Sequence, residues 1–290
     1  MKQLFLIFTI ILLCNSVYSQ YYIKDIKTGE CIEFAAIFNY SANTGTYSIK
    51  SGFKIQATPN DTLIISCVGY YSDTIIYTAN LKKEIFLTPK IYQIDEVTLK
   101  VDVKSKKHEL GFRKERDKIN FYSHVGSEWV AYIENKNPEH TKLIESVILK
   151  TSGKRKQNIA YRINIYKKDS ITGLPGDIIA NLPIFQSKKH KGKKYNLSEN
   201  LIFPDTGVFV GIEWLSYLDD KGNKIESGTD IALSVPLTFS VTDSYTYFRS
   251  KFHDNQWILA ENDHPLSLIQ NKDNSPNLAI SIAVKEFLHE

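Results

Sequence analysis

The sequence predicts an all-β protein made of a small β-sandwich followed by a larger one, and three observations carry that expectation. Short apolar, β-branched runs recur between turn residues, the pattern of strands rather than helices. Seventeen Tyr and fifteen Phe stand beside a single Met, and aromatic side chains pack well on pleated faces. No segment from Tyr21 to Leu99 carries a convincing helical period. The 290 residues have room for two ordinary domains, and 42% hydrophobic with 23% charged residues is a globular composition. A formal net charge of +4 gives no reason to expect nucleic acid as a partner.

Residues 1–19 have the three parts of a secretory signal peptide: Lys2, the apolar run Leu4 to Leu13, and Val17-Tyr18-Ser19 before Gln20. About ten apolar residues are too few to span a bilayer, which needs roughly 20, and no other stretch is long enough. Cys14 raises the alternative of lipidation at the cleavage point, although Leu13 stands where that signal wants a small residue. Export is therefore expected, to the periplasm, the outer membrane or the cell surface. Two cysteines then remain, Cys31 and Cys67. An oxidising compartment allows them to pair, while Cys67, inside an apolar run, equally suits a small buried hydrophobe.

Residues 20–100 read as short strands in order: Tyr21 to Ile26, Cys31 to Asn39, Thr46 to Ile49, Phe53 to Ala57, Leu63 to Val68, Thr74 to Tyr77, Glu84 to Leu87 and Ile94 to Leu99. Asn60-Asp61 is a polar turn ahead of Leu63, and Ser51-Gly52 suggests a hairpin turn. About seven strands in this length argue for a small sandwich. Residues 101–118 change character, with Lys104, Lys106, Lys107, Arg113, Lys114, Arg116 and Lys118 among Glu109, Glu115 and Asp117. They read as a solvated, charged linker.

From 119 to 290 strands return at wider spacing: Glu128 to Glu134, Lys142 to Thr151, Ala160 to Lys167, Ile178 to Phe185, Val208 to Tyr217, Asp230 to Val235, Tyr245 to Arg249, Gln256 to Leu259 and Leu278 to Val284. Tyr161 to Tyr166 alternates as a half-exposed strand would. Gly173-Leu174-Pro175-Gly176 and Pro204-Asp205-Thr206-Gly207 are strong turn signals. Nine strands in this length predict a larger, jelly-roll-like sandwich.

Lys27-Thr28-Gly29-Glu30, Ala35-Ala36-Ile37, Gly52-Phe53, Asp61-Thr62-Leu63 through Ser66-Cys67-Val68-Gly69-Tyr70 and Ile94-Asp95-Glu96-Val97 together resemble the carboxypeptidase-regulatory-like domain. That resemblance implies a transthyretin-like sandwich of seven strands and a non-catalytic role. The first strand lacks the family's usual Gly-x-Val, and Thr-Tyr-Ser-Ile-Lys-Ser-Gly replaces its commoner Thr-Asp-x-x-Gly. Such modules precede the plug of outer-membrane nutrient receptors. The serial amphipathic strands of a barrel are missing here, so a receptor is not expected. Arg162 to Tyr166, Gly173 to Gly176 and Gly207-Val208-Phe209-Val210-Gly211-Ile212-Glu213-Trp214 resemble exported proteins that carry the same small domain in front.

Catalytic patterns are mostly missing. The seven histidines form no His-Glu-x-x-His, and no Gly-x-Ser-x-Gly occurs, so neither a metal nor another cofactor is expected. Ser51-Gly52-Phe53-Lys54 and Lys27-Thr28-Gly29 match penicillin-recognising motifs only formally, in the wrong order. Asp219-Asp220-Lys221-Gly222-Asn223 has its glycine too early for a calcium loop and reads as a hairpin loop. Lys188, Lys189, His190, Lys191, Lys193 and Lys194 form the densest charge run, and Lys188, Lys189 and Lys191 are its candidate ligand-binding residues for acidic polysaccharide or phosphate. Trp129, Trp214 and Trp257 are candidates for an aromatic sugar platform, with Trp214 the candidate ligand-binding residue among them. Glu213 is the carboxylate on which an alternative rests, a glycan hydrolase needing a second carboxylate nearby. The expectation is a non-enzymatic bacterial envelope protein whose partner is a surface glycan or an outer-membrane protein.

Overall fold

A computed structural model describes residues 20–50, 52–90, 104–112, 118–149, 158–182, 185–186, 193–218, 223–225, 233–241, 243, 245–262 and 275–288. The expected signal peptide, Ile94 to Leu99 and the candidate residues Lys188, Lys189 and Lys191 lie outside these residues. The described part is all-β, its sheets packed in sandwich-like arrangements.

The first 70 or so described residues form six strands. β1 (Tyr22–Asp25) runs parallel to β6 (Glu84–Leu87). β2 (Ala36–Asn39), β3 (Thr44–Tyr47), β4 (Thr62–Ser66) and β5 (Asp73–Ile76) make an antiparallel sheet in the order β3-β2-β4-β5. Their shared core includes Tyr21, Ile23, Ala35, Ile37, Ile65 and Leu87. β4 starts where Asn60-Asp61 predicts a turn: Asn60 sits at φ 78, a left-handed conformation that Asn tolerates. Asp61 locks the turn by accepting hydrogen bonds from the Thr58 amide (2.9 Å) and Asn39 Nδ2 (2.8 Å). Ser51 lies outside the described residues, and Thr46 to Ile49 does not pair with Phe53 to Ala57 as the expected hairpin would. Instead β3 folds back on β2 through residues 40–43, and Phe53 makes only an isolated bridge to Tyr21. Cys31 and Cys67 are both free thiols.

The remaining strands build three sheets. β7 (Ser105–Gly111), β10 (Lys142–Leu149), β14 (Lys193–Ile202) and β21 (Ile280–Phe287) form one, ordered β14-β10-β21-β7. The largest contains β12 (Pro175–Asn181), β11 (Asn158–Lys168), β15 (Val208–Leu218), β9 (Ser127–Ile133), β18 (Thr246–Ser250) and β19 (Ile258–Leu259) in that spatial order. β13 (Phe185–Gln186) and β16 (Lys224–Ile225) pair onto it, the latter closing the hairpin expected after β15. β8 (Lys118–Ser123), β17 (Leu233–Val241) and β20 (Ser275–Leu278) form the third. The core lies between the first two sheets, where Ile144, Val147, Ile282 and Val284 meet Ile163, Ile165, Ile212 and Trp214.

Three expectations change. Ser105–Gly111, inside the stretch expected to be a linker, pairs along β21 from Ser281 to Phe287. Lys193–Ile202, which takes in the end of the basic run at Lys193 and Lys194, is also a strand. Both are edge strands, whose exposed lysines resemble the composition of a linker. Tyr161 to Tyr166 is buried throughout rather than half-exposed, because its polar face is covered by the small sandwich and by a set of charged neighbours.

Candidate functional site

Pairing registers place four charged residues side by side across four neighbouring strands. Arg162 on β11 faces Glu213 on β15, Glu213 faces Glu128 on β9, and Glu128 faces Arg249 on β18. Two like charges directly opposite destabilise a sheet unless something stands between them. Asn164 does so, donating from one Nδ2 to Glu128 Oε1 (2.7 Å) and to Glu213 Oε2 (3.0 Å). Lys251 reaches both carboxylates, at 2.7 Å from Glu213 Oε1 and 3.8 Å from Glu128 Oε2. Each arginine grips its own glutamate with two nitrogens: Arg162 at 3.1 and 3.0 Å, Arg249 at 3.0 and 2.7 Å. Tyr166 donates its hydroxyl to Glu128, and Trp257 lies against the Arg249 guanidinium, 4.1 Å from ring centroid to Cζ.

Glu128 and Glu213 are both 0% exposed. Burial alone would push a carboxyl upward, but the adjacent cations prevail. Arg162 and Lys251 hold Glu213 well below its ordinary value of 4.5, and Arg249 and Lys251 hold Glu128 below it as well. The pair is therefore ionised and closed to solvent. A glycosidase needs one carboxyl with a raised pKa, and both must reach substrate.

The row is also where the two parts of the chain meet. Tyr47, on β3, donates its hydroxyl to Glu213 Oε1 at 3.0 Å. Phe34, Ala36 and Tyr47 pack with Ala160, Leu215 and Leu218 in one apolar cluster. Phe252 wedges between Gly45 and Gly126, its ring 4.9 Å from that of Tyr47. A Cβ on Gly45 would lie 2.1 Å from the Phe252 ring, and one on Gly126 would lie 2.4 Å from it. The Phe252 ring leaves no room for a Cβ at either glycine, and Gly126 also sits at φ 89. Asn43 Nδ2 also lies 3.1 Å from His253 Nδ1 across the junction. Beside it opens a cleft of ≈ 430 Å³, lined by Phe38, Tyr70 and Lys90 on one side and Tyr166, Arg249 and Lys251 on the other.

Of the sequence-predicted residues, Trp214 is not a surface platform: it is 1% exposed and packs in the large core against Tyr217. Its even position on β15 turns it inward, while Glu213 beside it turns outward to the charged row. Lys188, Lys189 and Lys191 lie outside the described residues. Sequence reading missed Glu128, Arg249, Lys251 and Tyr47. The available signal was a charge set inside an apolar strand, as in Glu128-Trp129-Val130-Ala131, because such a charge must find a partner.

Among the described residues no group of three His, Cys, Asp or Glu side chains is arranged to hold a metal ion. No described helix is long and apolar enough to cross a membrane. Comparison with known proteins finds no family model that matches the chain and no curated sequence similar to it. Fold and site thus define a class: an all-β protein of sandwich-like sheets with a buried, ion-paired junction.

Proposed function

We propose that this is an exported bacterial cell-envelope accessory protein without catalytic activity. Its small sandwich is read as a carboxypeptidase-regulatory-like module serving as a docked spacer. Its larger part contacts a surface glycan or an outer-membrane protein. The observation that carries this reading is the charged row. The two carboxylates that a hydrolase would use are consumed by Arg162, Arg249 and Lys251, and Tyr47 of the small sandwich closes over them. Such an arrangement holds two bodies together rather than presenting an acid and a base.

Glu213 and Glu128 do share one amide donor, which is the observation that keeps a hydrolase as the competing reading. One experiment separates them. The secreted chain is incubated with cell-envelope polysaccharide, and binding and release of reducing ends are both measured. Binding without release is expected. Release that is abolished by Glu213→Gln while the fold persists would overturn the accessory reading.

A further inference from the structure

A second cavity lies at the far end of β9 from Glu128 and the charged row. It runs along the open edge of β7, between that strand, the end of β9 and the segment leading into β18, and encloses ≈ 580 Å³. Pockets of about 300–1,000 Å³ are the size that small organic ligands occupy. Three aromatic side chains line it: Phe112, Tyr132 and Tyr245. The Phe112 and Tyr245 rings stack at 5.8 Å with 29° between planes, and Tyr132 follows at 6.4 Å and 32°. The backbone holds this strip in place, since the Tyr132 amide donates to the Tyr245 carbonyl at 2.8 Å.

Around Glu286 the groove's charges are satisfied within its own lining. Glu286 takes His108 Nε2 at 2.7 Å on one oxygen and His140 Nδ1 at 3.0 Å on the other, with Lys142 at 3.5 Å. Elsewhere the lining is different. Glu134 and Asp243 are exposed on the rim, and neither has an ion-pair partner among the described residues. Asp243 accepts a hydrogen bond from the Tyr245 hydroxyl at 3.3 Å. Lys136 and Asn137, also exposed, supply donors on the same rim.

We propose that this groove is a carbohydrate-binding site for neutral or amino sugars. The inference rests on the glycan-contacting reading above and gives it a place. Aromatic surfaces pack against the C–H faces of a pyranose ring, while carboxylate acceptors and amide or ammonium donors take the hydroxyls around it. Free carboxylates on the rim repel acidic polysaccharides and phosphates, which sets this groove apart from the basic run Lys188, Lys189 and Lys191.

The test uses the whole secreted chain and isothermal titration with chitotetraose, cellotetraose and mannotetraose as neutral probes, and oligogalacturonate as the acidic one. A neutral probe should bind. Tyr245→Ala should weaken it by about tenfold or more, the loss expected when a stacked, hydrogen-bonding ring is removed. Asp243→Asn and Glu134→Gln are exposed, isosteric changes that keep the fold and should each weaken binding several-fold. Lys188→Ala/Lys191→Ala should leave it unchanged. If oligogalacturonate alone binds, and only the lysine variant loses it, the glycan reading stands and the groove is the wrong place. If a neutral probe binds equally to wild type and to the three groove variants, the groove assignment is again overturned. Failure of every probe to bind overturns the glycan reading and this site with it.

Discussion

Along β15 the two faces of one strand are buried by opposite means. Val208, Val210, Ile212 and Trp214 enter the large apolar core. Phe209, Glu213 and Leu215 lie on the other face, where Leu215 joins the apolar contact with the small sandwich and Glu213 joins the charged row. On the first face each side chain gains about 1.5–3 kcal/mol by leaving water, and no partner has to be chosen. On the second, each ion removed from water costs several kcal/mol, and the cost is offset only where every charge meets its opposite in good geometry. The comparison teaches that the apolar face tolerates substitution by shape. The charged face tolerates almost none that leaves a partner behind.

The largest break in that comparison should come from Glu213→Ala. It strands Arg162 and Lys251 in a buried site, and a cost of about 3–5 kcal/mol is expected. Urea unfolding of the full chain measures it, and a loss below about 1 kcal/mol would show that water reaches the row. The matching change on the inner face, Ile212→Val, should cost only about 0.5–1.5 kcal/mol.

Acid sharpens the same contrast. Glu213 and Glu128 have folded values below 4.5, so their contribution is present above the ordinary carboxyl range. It is lost as pH falls from about 4.5 through those lower folded values. Stability measured between pH 7 and 5 should therefore be nearly flat with respect to these two groups and decline below that range. The decline should be shallower in Glu213→Gln. An unchanged acid limb in that variant would mean that other carboxylates govern it.

At the junction, Gly45→Ala places a methyl where the Phe252 ring sits, and overpacking of this kind costs about 1–3 kcal/mol. Gly45 is not in a left-handed conformation, so the effect is steric. The double variant Gly45→Ala/Phe252→Ala should then be less destabilised than the sum of the two single changes. Strict additivity would separate the two residues. Tyr47→Phe removes one of several hydrogen bonds to an ion and should cost about 1.5–3 kcal/mol at most. If limited proteolysis between residues 91 and 103 is faster in both variants, the row and the wedge act together to hold the small sandwich down.

Much of the fold was legible because local chemistry decides it. β4 follows its turn residues and its β-branched run, and β15 is an apolar strand of unusual length. β7 and β14 were illegible for the opposite reason: edge strands keep one side in water and carry the lysines that linkers carry. The candidate site was the least legible of all. Glu213 stood out in the sequence, yet its role depends on Glu128, far away in the chain and adjacent only through the β9–β15 register.

What the sequence alone determined is the all-β class, the placing of most strands and the presence of charges inside apolar runs. These follow from period, propensity and turn chemistry, which act within a few residues. Which way each charge faces, and whether water or another ion receives it, was decided by tertiary structure. Strand register sets those neighbours, and the small sandwich covers a polar face that alternation alone assigns to solvent.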